Sequence, residues 1–168
     1  MIGVREARLP GDRDDLVRLW LAYLSWGNDE LETRYEFRLP VEQAVEHDLA
    51  EIERFLPPDG RLLLAVDGDD AIGTAAMRRI GSETAEIKRM FVDPLRRRAG
   101  AGRAMLDALI ASAEQAGYRR IRLDSPDFMT AAHALYRSEG FADIGPYAES
   151  EIPDEFKSHW IFMEKRLR

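Results

Sequence analysis

The sequence predicts an α/β domain with a mixed, mostly antiparallel central sheet and helices on both faces, in one unit spanning residues 1–168. Three observations carry that expectation. Apolar runs at 62–66, 71–79 and 84–92 are joined by short turn signals, Asp67-Gly68-Asp69-Asp70 and Gly81-Ser82. Strands joined so tightly are antiparallel. A further strand-like run at 120–125 follows only after an apolar helix at 101–116, and a crossover of that length makes the flanking strands parallel.

Taken in order, residues 2–8 alternate loosely and read as a first strand, broken by Pro10-Gly11-Asp12. Leu16, Leu19, Trp20, Tyr23 and Leu24 recur at helical spacing, so 14–26 is an amphipathic helix that Gly27-Asn28-Asp29-Glu30 ends. Residues 27–40 are polar, with Tyr35, Phe37 and Leu39 among charges, and read as a long loop of functional interest. Pro40 opens a second helix to about Phe55, with Val41, Ala44, Val45, Leu49 and Ile52 on its apolar stripe. Pro57-Pro58-Asp59-Gly60 is a turn before the three hairpin strands. Gly117 stops the apolar helix. A helix at 130–138, capped by Gly140, and strands at 141–144 and 159–165 close the chain.

The 168 residues suit a single domain with a substantial core. No apolar run approaches the ~20 residues of a membrane span. Arg5 and Arg8 interrupt any leader-like start, and Met1-Ile2 lacks the glycine of a myristoylation signal, so a cytoplasmic protein is expected. The formal net charge of −7 disfavours nucleic acid as a partner. There is no cysteine, hence no disulfide and no thiol nucleophile, and direct transfer is expected over a covalent acyl-enzyme. The three histidines are isolated in sequence, and no metal is expected.

The stretch with chemistry in it begins at Glu86. A strand runs through Met90, Phe91 and Val92 into Asp93-Pro94, then into Leu95-Arg96-Arg97-Arg98-Ala99-Gly100-Ala101-Gly102, and then into a helix. A basic, glycine-rich turn that opens a helix is suited to a phosphate, because the first helical N–H groups have no partner inside the helix and the dipole adds positive potential there. Gly102 is followed by Arg103-Ala104, which excludes a P-loop, and Met105 stands where a dinucleotide fingerprint has its third glycine.

The pattern Val92-x-Pro94-x-x-Arg97-x-x-Gly100-x-Gly102 resembles the acyl-CoA pyrophosphate loop of the GNAT superfamily of N-acyltransferases. Downstream, residues 131–141, with Tyr136, Gly140 and Phe141, resemble that family's later helix and following strand. The resemblance covers 72–162 firmly and the N-terminal third loosely. It departs from the commonest loop at Ala99 and Ala101. It implies the GNAT fold, with the fourth and fifth strands splayed around the pantetheine arm, and acetyl-CoA as co-substrate. It also implies cofactor binding by the main chain of Met90, Phe91 and Val92 and by Arg97, Arg98, Ala99, Gly100, Ala101 and Gly102. Met90, Phe91 and Val92 are at the same time ordinary core residues by composition.

N-acetyl transfer sets the remaining roles. An aliphatic amine of pKa ~10.4 has to lose a proton before it attacks. Glu86 lies on the same strand face as Met90 and Val92 and matches a catalytic glutamate of some GNAT enzymes, with pairing to Lys88 as the alternative. Tyr136 matches the tyrosine that many of them keep beside the CoA sulfur as general acid. The acceptor site is implied between Trp20, Tyr23, Trp26, Asp29, Glu30, Glu32, Tyr35 and Phe37 on one side and Tyr147, Glu149 and Glu151 on the other. Aromatics beside carboxylates suit a small-molecule amine. Acetylation of a protein or peptide, and a non-catalytic CoA-binding regulator, are the alternatives, and the sequence is compatible with a homodimer.

Overall fold

Each face of the central sheet buries its own set of side chains, and the strands alternate accordingly. In the computed structural model, which describes every residue except Arg98, strand β2 (Arg61–Asp67) sends Leu63 and Ala65 to one layer and Leu62 and Leu64 to the other. Burial on both faces is why this strand reads as an unbroken apolar run rather than an alternating one. The first layer holds helix α3 (Ala101–Gln115), through Met105, Leu106 and Leu109, and helix α4 (Thr130–Ser138), through Tyr136. The second holds α1 (Arg13–Tyr35), through Leu16, Leu19 and Trp20, and α2 (Val41–Ala50), through Val45.

The sheet runs β1-β2-β3-β4-β5-β7-β6 among the described residues. Its strands are β1 (Ile2–Glu6), β2, β3 (Asp70–Arg79), β4 (Thr84–Val92), β5 (Arg120–Pro126), β6 (Ala142–Ile144) and β7 (Trp160–Arg166). Every neighbouring pair is antiparallel except β4 and β5. The mixed, mostly antiparallel sheet covered on both faces is therefore the architecture expected from the turn spacing.

The N-terminal third differs from the expectation. Helix α1 does not end at Trp26 but continues to Tyr35, where Glu36 takes a left-handed conformation (φ 60°). Residues 27–35 are thus helix rather than loop. Gly27, Asn28 and Leu31 are buried in that extension, so tertiary packing overrides the breaking tendency of Gly-Asn. The Asn28 amide clasps Leu39 twice, donating to its carbonyl at 2.8 Å and accepting from its N–H at 2.9 Å. The second helix is shorter than predicted: it stops at Ala50 and a 3₁₀ turn, Ile52–Phe55, follows.

Candidate active site

Strands β4 and β5 pair over only three registers, Thr84 with Arg120 to Glu86 with Arg122. Beyond them the strands part, and the edge of β4 from Ile87 onward has no strand partner on that side. On its other edge β4 carries a bulge. Thr74 pairs with Phe91 and Ala76 with Lys88, so Arg89 and Met90 together face Ala75. Arg89 sits there at φ 55°, and its guanidinium is held by Asp48 at 2.7 Å. Gly73 opposite is required by close approach, since a Cβ there would lie 2.9 Å from the Phe91 carbonyl oxygen.

A cavity of 310 Å³ opens in the split. Ile87, Lys88, Arg89 and Met90 supply one wall and Leu123, Asp124, Ser125 and Pro126 the other. Helices α1 and α2 close it with Tyr23, Leu31, His47 and Asp48, and the segment 151–153 covers its end. Of the strand residues expected to hold the cofactor, Met90 lines the cavity, whereas Phe91 is buried in the layer under α1 and Val92 packs into the layer under α3.

The basic turn leads into α3 through Gly100, which is left-handed at φ 82° and gives the helix no side-chain cap. A Cβ at Gly100 would meet open space, so only backbone faces outward there. Ala101 is buried and Ala99 exposed. Gly102 has Leu135 and Val92 behind it. The Arg97 guanidinium is exposed, donates to the Val92 carbonyl at 3.2 Å and lies 5.6 Å from the Trp26 ring centre. Arg96 is engaged elsewhere, at 2.9 Å from Asp67. Arg98 lies outside the described residues. An uncapped helix N-terminus preceded by an exposed arginine fits a diphosphate.

Tyr136 lines the cavity, and burial raises its phenol well above the ordinary value, with the charges of Tyr23 and Asp124 adding to the rise. It therefore keeps its proton through the neutral range. Tyr23 lines the same space, its phenol pushed up to about 12 by burial. His133, one turn before Tyr136, is buried and shares a hydrogen bond of 3.0 Å with Ser125 Oγ, which ties α4 to β5.

Glu86 is buried at 2% exposure with both oxygens engaged. Arg78 Nε donates to Oε1 at 2.8 Å and the Tyr147 hydroxyl donates to Oε2 at 2.6 Å. It is not among the residues that line the cavity. Three carboxylates do, Asp48, Asp124 and Glu151; Asp48 and Glu151 are held in ion pairs with basic side chains, whereas Asp124 accepts from Ser150 Oγ at 2.8 Å. Burial, and then the negative charge of Glu86, push Asp124 above the usual carboxylate range, against the opposing pull of Lys88 and Arg89.

The coil at 145–153 is strapped over this network. Tyr147 reaches Glu86, the Glu149 carbonyl accepts from Arg78 at 2.8 Å, Ser150 reaches Asp124, and Glu151 pairs with Lys88. Of the acceptor residues expected from sequence, Tyr23 and Glu151 line the cavity and Tyr147 is spent on Glu86. Trp20 is core, and Tyr35 and Phe37 stack with His159 and Phe156 in a third cluster. Asp29, Glu30 and Glu32 pair with Arg34 and Arg38 on the surface.

Sequence reasoning missed Asp124 and Asp48. Asp48 had a readable signal: four residues after Ala44 and three after Val45, it falls inside the apolar stripe of α2, where an unpaired charge would be costly. Asp124 had a weaker one, an acid between two inward-facing residues at the end of a strand.

A sequence model of the acetyltransferase (GNAT) family matches residues 20–141. The chain belongs to the GNAT acetyltransferase family. An N-acetyltransferase of Schizosaccharomyces pombe, itself uncharacterised, is 31% identical over 157 residues, covering 91% of this chain and 90% of that one. An IAA acetyltransferase of Azospirillum brasilense is 34% identical over 126 residues, covering 74% and 79%. The PaiA N-acetyltransferase of Thermoplasma acidophilum, crystallised with coenzyme A, superposes with a TM-score of 0.74 at 16% identity, over 99% of each chain. That likeness is one of fold. The sequence expectations of a GNAT fold and an acyltransferase hold. Among the described residues no helix is long and apolar enough to cross a membrane.

Proposed function

We propose that this GNAT chain transfers the acetyl group of acetyl-CoA directly to the amine of a small molecule, bound in the cavity between the split strands. The observation that carries the reading is Tyr136 lining the same cavity as Asp124 and the bulged stretch of β4. The free edge of β4 beyond Glu86 offers main-chain groups at Met90, Phe91 and Val92 for an extended amide-bearing arm, as an added strand would use them. Arg97 and the backbone from Ala99 through Gly100 and Ala101 to Gly102 are suited to the diphosphate, with Arg98 as part of the same basic turn. A bulge also turns main-chain N–H groups away from the ladder, where one can meet the thioester carbonyl as negative charge develops.

Three groups then divide the proton work. The amine nitrogen bonds to the acyl carbon as the C–S bond breaks. The amine's proton passes to Asp124, directly or through water. Tyr136 hydrogen-bonds the departing sulfur and relays a proton to it as Asp124 gives up the one taken from the amine, so the phenol ends protonated; a leaving thiol of pKa ~8.5 needs only this modest help. Glu86, expected from sequence to be the base, acts in this reading from behind: its charge raises the proton affinity of Asp124 and its Tyr147 contact holds the strap. A cavity of 310 Å³ between the split strands favours a small amine over a folded protein acceptor. The reading includes a cytoplasmic enzyme.

Thiol release from acetyl-CoA across a panel of small amines and amine-bearing peptides, with calorimetric titration of CoA, tests it. Turnover of small amines is the expected outcome. Turnover of peptides alone would move the assignment to a protein acceptor, and CoA binding without any thiol release would leave a CoA-binding regulator.

A further inference from the structure

The cavity ends in an unusual place for a coil residue. One carboxylate, Glu151, is surrounded by four basic side chains drawn from four elements. Lys88 of β4 pairs with its Oε1, Arg54 lies 3.2 Å and Arg78 3.7 Å from the same oxygen, and His47 of α2 lies 3.6 Å from Oε2. Arg54 and Arg78 are each braced by a second carboxylate, Asp48 at 2.6 Å and Glu86 at 2.8 Å. These two arginines are thus held in place without Glu151, whereas the anion they share belongs to a segment with no helix or strand of its own. Its side chain is one-third exposed.

We propose that this cluster is the binding site for a carboxylate of the acceptor, and that Glu151 occupies it as an internal stand-in until the acceptor displaces it. The substrate class is then an amine that also carries a carboxylate, such as an amino acid. This rests on the acyl-transfer reading above and narrows its acceptor.

Charge supports the assignment. With Glu151 swung out, Arg54, Arg78, Lys88 and Arg89 face Asp48, Glu86 and Asp124, and Asp124 holds its proton more tightly than an ordinary carboxyl. The set is then short of negative charge and buried enough for the deficit to matter, because screening is weak there. An incoming ammonium would instead have to compete with Lys88 for Glu151 and would lie among cations. Lys88, Glu151 and Asp124 line one cavity, so a molecule with both groups can set its carboxylate on Lys88 and its amine toward Asp124 and Tyr136. Displacing Glu151 gives up its ion pairs but returns it to water at the rim, and the new carboxylate inherits the same partners.

The test compares each amino acid with the amine formed by removing its carboxyl, for example phenylalanine with phenethylamine and methionine with 3-(methylthio)propylamine. KM is read by thiol release in the wild type, Glu151→Gln and Lys88→Met. The amino acids are expected to show KM at least about tenfold lower than their decarboxylated partners, since a charge-assisted pair is worth roughly 1.5–3 kcal/mol. Lys88→Met should erase that gap. Glu151→Gln should lower KM for the acids by a few-fold relative to their decarboxylated partners, because the competent state no longer competes with an internal ligand. Decarboxylated amines that match or beat the acids, or a Glu151→Gln variant with raised KM for both, overturn the proposal. Calorimetric titration of the CoA-loaded protein with the same amino acids separates the two readings. Lys88-dependent binding without turnover keeps the carboxylate site and sinks acyl transfer. Turnover of amines with no such binding, in the wild type or in Glu151→Gln, does the reverse.

Discussion

Tyr147 donates its hydroxyl to Oε2 of the buried Glu86 at 2.6 Å, across 61 residues of chain. The phenol sits on a coil, the carboxylate at the last register where β4 and β5 still pair. The contact therefore pins the cover of the cavity to the point where the cavity begins. Burial first, and then the charge of Glu86, raise the Tyr147 phenol far above its ordinary value, so it stays a donor at every working pH.

Tyr147→Phe should cost about 1–3 kcal/mol of stability, the penalty for leaving one oxygen of a buried acceptor unmet. Urea denaturation would show it. Because the strap carries Glu151, the internal competitor for the acceptor's carboxylate, the same variant should lower KM for carboxylate-bearing acceptors while leaving CoA affinity unchanged. A KM that does not fall would mean that Tyr147 supports the fold alone.

Tyr136→Phe should lower kcat by about 10²-fold or more, the scale of a lost general acid, with little change in CoA affinity. The wild-type Tyr136 is raised by burial, so it stays protonated to high pH and contributes no basic limb to the rate profile. Unchanged turnover would remove it from the mechanism.

Asp124 is shifted upward, so it protonates at a higher pH than a free carboxyl, and wild-type activity should fall as pH drops through that raised value. Asp124→Asn should abolish that acidic limb. Its deficit, about 10²–10⁴-fold at neutral pH for a lost base, should shrink as pH rises, because the amine then sheds its own proton. Glu86→Gln, acting only through its neighbour, should move the limb to lower pH rather than remove it. A limb that stays in Asp124→Asn and vanishes in Glu86→Gln would return the base role to Glu86.

The C-terminal two-thirds of the fold was legible because its signals are local. Turns at Asp67-Gly68 and Gly81-Ser82 set the antiparallel strands, and the basic turn before Gly100 announces an uncapped helix. What eluded the sequence is set by long-range partners. Residues 27–35 are helical because Leu31 finds Tyr147, Trp160 and Phe162 far along the chain. Glu86 matched a family position, but its side chain is engaged by Arg78 and Tyr147, and no periodicity foretells that partnership. The bulge that sends Arg89 toward Asp48 is likewise invisible in a run that reads as plain strand.

Asn28 tests that N-terminal architecture. Its amide is buried at 4% exposure and satisfies both main-chain groups of Leu39, fixing the return of the chain from α1 to α2. Leu31, Leu39 and Pro40 all line the cavity, so the clasp shapes that wall, which the proposed function gives to the acceptor. Asn28→Leu removes both hydrogen bonds and strands the Leu39 N–H and carbonyl away from water, at about 1–3 kcal/mol for each group left unmet. Thermal unfolding should record the loss. The functional readout is more specific: acceptor KM should rise and the ranking of acceptors by side-chain size should change, while CoA affinity, which the proposed function assigns to the free edge of β4 and the turn before α3, should hold. If only stability falls, the helical extension of α1 serves the fold and not the choice of acceptor.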